Sequence, residues 1–146
     1  MYDSSKDVLE FQGAWQNAVR IFKQIRRIYE GESFSLMYLL KKNDVVLPSE
    51  ISKKMETTSA RTSAILNSLE KKGEISRDID PENRNNVLVS LTNSGRQRAL
   101  DIMFQSQNLI KRVLSNMGER DAKEFIRLIK VFTSSFSECS EDLKLE

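Results

Sequence analysis

The chain has no histidine and, in 146 residues, only one cysteine, two prolines and five glycines. Without imidazole there is no His-based triad, no HExxH zinc site and none of the commonest proton shuttle near neutral pH. A metal site would have to be built from carboxylates alone. Cys139 has no second thiol to pair with, which excludes an intrachain disulfide. Few prolines and glycines leave little material for long loops, and the phosphate-cradling patterns GxGxxG and GxxxxGKS/T and the nucleophile elbow GxSxG are all missing. Apolar runs stop at about five residues, too short to span a bilayer. The N-terminus carries no basic run followed by an apolar core, so a cytoplasmic location is expected. Catalytic residues, metal ligands and cofactors are accordingly not expected, and the chain does not read as an enzyme.

What is present fits a soluble globular chain, with 39% hydrophobic and 30% charged residues. Residues 1–146 read as one chain of domain size. Lys and Arg number 23 against 21 Asp and Glu, so the net charge of +2 says less than the placement of the charges.

From Phe11 to Tyr29 large apolar residues recur at alternating steps of four and three, painting one stripe on a helix, with Arg20, Lys23, Arg26 and Arg27 off it. Gly31 is suited to end that helix. Ser33 through Lys42 is apolar enough for a short, centrally packed helix. Pro48 then suits the first turn of another, where its missing N–H costs nothing, and Ile51 and Met55 form its inner edge. Thr58 is a good N-cap for the next helix, whose inner face is Thr62, Ile65, Leu66 and Leu69. Ser59, Arg61, Ser63, Ala64, Asn67 and Ser68 fall outside that face. A face so small and polar suits close approach to a groove better than burial under protein.

After Gly73 the period changes to two. Ile75, Arg77 and Ile79 form one strand and Val87, Val89 and Leu91 another. Asp80-Pro81 between them selects a turn. Arg84 stands at the tip. Thr92 caps a further helix through Ala99, Ser106 and Val113, a break falls near Gly118, and Ala122 to Phe136 forms a last amphipathic helix whose acidic end, 138–146, is expected to fray.

The fold class expected is mainly α with a small β-hairpin wing, a winged helix-turn-helix at about 33–92 flanked by helical dimerisation segments at about 8–30 and 96–138. Two short helices followed by a hairpin place the second helix in a major groove of double-stranded DNA. The long apolar stripes, including Phe125, Phe132 and Phe136, suit a homodimer. Candidate DNA contacts are Arg61, able to fork onto guanine, Ser59, Ser63, Asn67 and Ser68 beside it, Arg84 on the wing, and Lys53 and Lys54 as phosphate contacts.

The segments Ser59-Ala60-Arg61-Thr62, Leu69-Glu70-Lys71-Lys72-Gly73, Asp80-Pro81-Glu82-Asn83-Arg84-Asn85 and Val87-Leu88-Val89-Ser90-Leu91-Thr92 with Gly95 resemble the recognition helix and wing of the MarR family of transcriptional regulators. The resemblance implies a homodimer on a pseudo-palindromic operator, most often a repressor, released by a small hydrophobic or phenolic ligand or by thiol oxidation. Trp15, Phe22, Phe34, Met37, Tyr38, Met103 and Phe104 are candidates to line such a pocket, or are ordinary core. Two positions depart from the family: Glu74 stands where an apolar residue is usual, and Asn83-Arg84-Asn85 replaces Asp-x-Arg. A winged-helix module that shapes DNA or binds protein, without an effector, is the alternative.

Overall fold

The computed structural model describes residues 5–26 and 30–142, and packing divides the chain into two units, 1–104 and 105–146. Tyr29 of the first stripe, and Arg27 off it, lie outside the described residues. The first unit holds α1 (Ser5–Arg26), α2 (Gly31–Lys42), α3 (Pro48–Lys54), α4 (Ser59–Lys71), β1 (Ile75–Ile79), β2 (Val87–Leu91) and the start of α5 (Asn93–Met117). The rest of α5 and α6 (Glu119–Asp142) form the second. This is the expected order, with two local differences. Gly31, at φ 59°, opens α2 instead of closing the helix before it. The last helix runs on through Glu138 to Asp142, and residues 143–146 are outside the described set.

The core of the first unit joins every element except α1. Leu36 and Leu39 of α2, Ile51 of α3, Leu66 and Leu69 of α4, Ile75 and Val89 of the hairpin and Ala99 of α5 are each no more than 3% exposed. Such side chains contribute roughly 1.5–3 kcal/mol each when taken out of water. The hairpin pairs Ile75 with Leu91, Arg77 with Val89 and Ile79 with Val87. Val46 adds a single bridge to Val89, with N–O distances of 2.9 and 2.8 Å, and is itself buried. One residue leaves no periodicity, which is why no strand is legible there.

Gly73 closes α4 at φ 70° with a two-bond cap: its N–H donates to Glu70 (2.9 Å) and that of Glu74 to Leu69 (3.0 Å). The carbonyl of Glu74 then accepts the N–H of Thr92 at 3.1 Å. The hydroxyl of Thr92 accepts from the N–H of Gly95 at 3.1 Å, the cap expected of it. Glu74 is 9% exposed and is tolerated in an apolar place because Arg98 of α5 donates to its carboxylate. Arg98 also donates to Glu32 of α2 at 3.0 Å, and Lys72 donates to both Glu32 oxygens at 2.8 and 2.7 Å. Burial raises the pKa of Glu32, but hydrogen bonds from Lys72, Ser68 and Arg98 and the Lys72 charge outweigh it and hold the carboxyl at about 2, below its ordinary 4.5.

Two stability predictions follow from this junction. A β-carbon on Gly95 would lie 1.8 Å from the Glu74 carbonyl oxygen, so backbone must move. Gly95→Ala should cost about 3 kcal/mol, read as a lowered urea midpoint. Because the Glu32 pKa is depressed on folding, its stabilisation is complete above pH 4.5 and is lost as pH falls through about 2. Glu32→Gln should therefore be less stable than the parent at pH 7, with the gap narrowing as acid unfolding is followed down that window. A gap independent of pH would count against the ion cluster.

Candidate nucleic-acid interface

The expected reading head is α3, α4 and the hairpin. Ser52 of α3 donates its hydroxyl to the α3 carbonyl of Pro48 (3.1 Å) and lies 2.9 Å from the Thr62 hydroxyl. That pairing explains a buried threonine on the inner face of α4 and fixes the two helices against each other. Thr58 caps α4 as expected, its hydroxyl accepting from the N–H of Arg61 at 3.2 Å. The turn between the helices reaches the left-handed region at Glu56, φ 50°, without a glycine or asparagine to signal it.

Outside this scaffold Ser59, Arg61, Ser63 and Asn67 are all exposed on one helix, with Arg61 one turn from its N-terminus. Lys53 and Lys54 are exposed in the last turn of α3. Ser68 corrects the sequence reading. It is half-buried on the flank of α4 beside Arg61, and its hydroxyl donates to Glu32 at 2.7 Å, so that hydroxyl is engaged with α2. The cause is a carboxylate 36 positions away, which helical spacing within α4 does not reveal.

The wing tip is shaped by its own side chains. Asp80 accepts from the N–H of Glu82 at 2.9 Å and Asn83 from that of Asn85 at 3.2 Å, leaving the intervening Arg84 exposed. The hairpin is tied to α4 by Arg77, a residue not singled out by sequence. Its Nη1 donates to Asn67 Oδ1 at 2.9 Å, and its Nε lies 3.8 Å from a Glu70 carboxylate oxygen.

Of the seven aromatic and methionine candidates, Phe34, Met37 and Tyr38 come together in a groove of about 790 Å³ rimmed by Lys41, Lys42 and Lys54. The rings of Phe34 and Tyr38 stack at 6.0 Å, and the Lys42 ammonium lies 5.8 Å from the Tyr38 ring centre. Trp15, Phe22, Met103 and Phe104 do not line this groove and are substantially exposed in the single chain. Trp15 instead stacks on Phe11 at 5.8 Å. The lysines were invisible to a search for apolar stripes. Phe125, Phe132 and Phe136 lie exposed along α6. Cys139 is exposed as well. Among the described residues there is no His, Cys, Asp and Glu cluster that could hold a metal, and no helix long and apolar enough to cross a membrane.

Comparison with known proteins bears on the same residues. The family described as Winged helix DNA-binding domain matches residues 33–110. YdgJ of Bacillus subtilis (strain 168), named as an uncharacterized HTH-type transcriptional regulator, is 31% identical over 94 residues, 64% of this chain and 57% of that protein. The HTH-type transcriptional repressor YetL of the same strain is 26% identical over 105 residues, 71% of this chain and 63% of its own. The match thus spans less than two thirds of either relative's length. Among solved structures, Streptococcus pneumoniae FabT in complex with DNA shares the fold, with a TM-score of 0.62 at 23% identity over 95% of this chain and 99% of that one. A family match over more than half of the chain and the order of helices and hairpin among the described residues agree: the chain belongs to the family of winged helix DNA-binding domains.

Proposed function

We propose that the chain is a homodimeric, sequence-specific repressor that lays α4 of each protomer in a major groove of a pseudo-palindromic duplex. The observation that carries the reading is the outer face of α4, where Ser59, Arg61, Ser63 and Asn67 are exposed together on a helix whose inner face is locked into the core. Arg61 serves base recognition, Arg84 the backbone or minor groove beside it, and Lys53 and Lys54 the phosphates. The exposed row Phe125, Ile129, Phe132 and Phe136 supports a dimer, since a row of this kind is rarely left to water. The name of YetL supports repression as the sense of control.

The groove around Phe34, Met37 and Tyr38 supports a small hydrophobic or phenolic effector, with the three lysines at its rim suited to an ionised oxygen. Binding there must favour the free protein over the DNA-bound one if it is to release the operator. A factor of about 100 between the two states corresponds to about 2.7 kcal/mol of coupling.

Selection of duplexes from a random pool at about 0.15 M salt tests the first reading. It should yield a two-fold related site. Arg61→Ala should lose about 1–3 kcal/mol and relax preference at one base pair per half-site, whereas Arg84→Ala should weaken all sequences alike. A pool with no enriched sequence would instead describe an architectural DNA-binding protein. For the effector, substituted phenols and benzoates titrated with and without the selected duplex should bind the free protein more tightly, and Lys41→Glu should weaken that binding while sparing the duplex affinity. Equal affinity in both states would exclude those compounds as inducers.

A further inference from the structure

We propose that Arg77 sets the base preference of Asn67. By engaging the amide oxygen it leaves the amide nitrogen to the groove, so that this position favours a keto base, guanine or thymine, and rejects cytosine on the strand it faces. The inference rests on the reading that the outer face of α4 enters the major groove.

Arg77 lies in β1 opposite Val89, with 22% of its side chain exposed, and its Nη1 donates to Asn67 Oδ1 at 2.9 Å. Its buried Nε and Nη2 have no hydrogen-bond partner among the described residues, and Glu70 balances the charge from 3.8 Å without accepting a bond. The bond to Asn67 is therefore the one described for a half-buried guanidinium, and breaking it would leave a charged donor unsatisfied, an expensive outcome. A primary amide carries its acceptor and its donors on opposite branches. With the oxygen committed inward, the exposed branch is the NH₂ group.

That orientation decides what the side chain can read. Asparagine recognises adenine by donating to N7 and accepting from N6–H at the same time, which needs both branches facing the base. A nitrogen presented alone finds two acceptors at guanine, O6 and N7, one at thymine, O4, and one at adenine, N7, beside an opposing amino group, whereas cytosine offers only the opposing amino group. The wing thus acts on sequence choice without touching that base pair, and Arg77 is a positioning residue in this scheme.

The test uses the full chain and a duplex pool randomised across each half-site. In the parent protein, the base pair whose selectivity is flattened by Asn67→Ala should favour guanine or thymine over cytosine by about fivefold or more, with adenine below guanine. Asn67→Asp keeps an oxygen for Arg77 but turns an acceptor outward, so preference there should invert to cytosine or adenine. Arg77→Leu releases the amide, and the keto preference should fall below about twofold while the base pair read through Arg61 is unchanged. If circular dichroism shows Arg77→Leu unfolded, Asn67→Asp alone decides, since it leaves the arginine in place. Adenine favoured by the parent protein, no inversion in Asn67→Asp, or an unchanged preference in folded Arg77→Leu would each overturn the proposal. Asn67→Ala weakening every sequence equally would also overturn it, assigning Asn67 to phosphate. The wider reading of α4 would still stand if Arg61→Ala relaxes its own base pair, and would fall only if neither variant alters any base preference.

Discussion

The reading head depends on one close approach, that of Gly95 to the backbone carbonyl of Glu74. Glu74 is where three elements meet. Its N–H completes the cap of α4, its carbonyl accepts from Thr92 at the head of α5, and its carboxylate takes Arg98 one turn further on. The end of α4, the root of the hairpin and the start of α5 are thereby fixed to one residue's backbone. An acid in this nearly dry place is tenable only because Arg98 and, behind it, Glu32 and Lys72 spread the charge over four groups. A lone buried carboxylate would have protonated or expelled its neighbours.

The same division of labour runs through α4. Several of its polar groups are spent on protein: Thr62 with Ser52, Ser68 with Glu32, and the Asn67 oxygen with Arg77. These bonds settle the rotation of the helix about its own axis, which apolar packing of Leu66 and Leu69 constrains more loosely. The outer polar groups, Ser59, Arg61 and Ser63, are consequently held at fixed angles to any surface that meets them.

Local chemistry made much of this legible in the sequence. Thr58, Gly73, Asp80, Thr92 and Gly118 mark caps and turns whose causes lie within a few residues, and each falls where its type indicates. The inner faces of α3 and α4 follow equally from spacing. What the sequence hid was set by distant partners or by a local rule being broken. Ser68 is engaged by Glu32, and the groove owes its rim to lysines on two different helices. Glu56 takes a left-handed backbone that its side chain disfavours, held there because α3 and α4 are bonded to each other on both sides of the turn.

The single bridge at Val46 has a consequence for the protein's behaviour in concentrated solution. By bonding to Val89 it occupies the middle of the outer side of β2, so β1 is the edge with no such bridge among the described residues. Unpaired strand edges recruit strands from other molecules, and proteins commonly blunt them with charge and with short length. Here the edge is five residues long and carries Arg77 and Asp78 side by side, with α4 packed along it. Two hairpins that meet find charge along this edge and a single exposed apolar pair, Ile79 and Val87, at its end, too little for a shared ribbon.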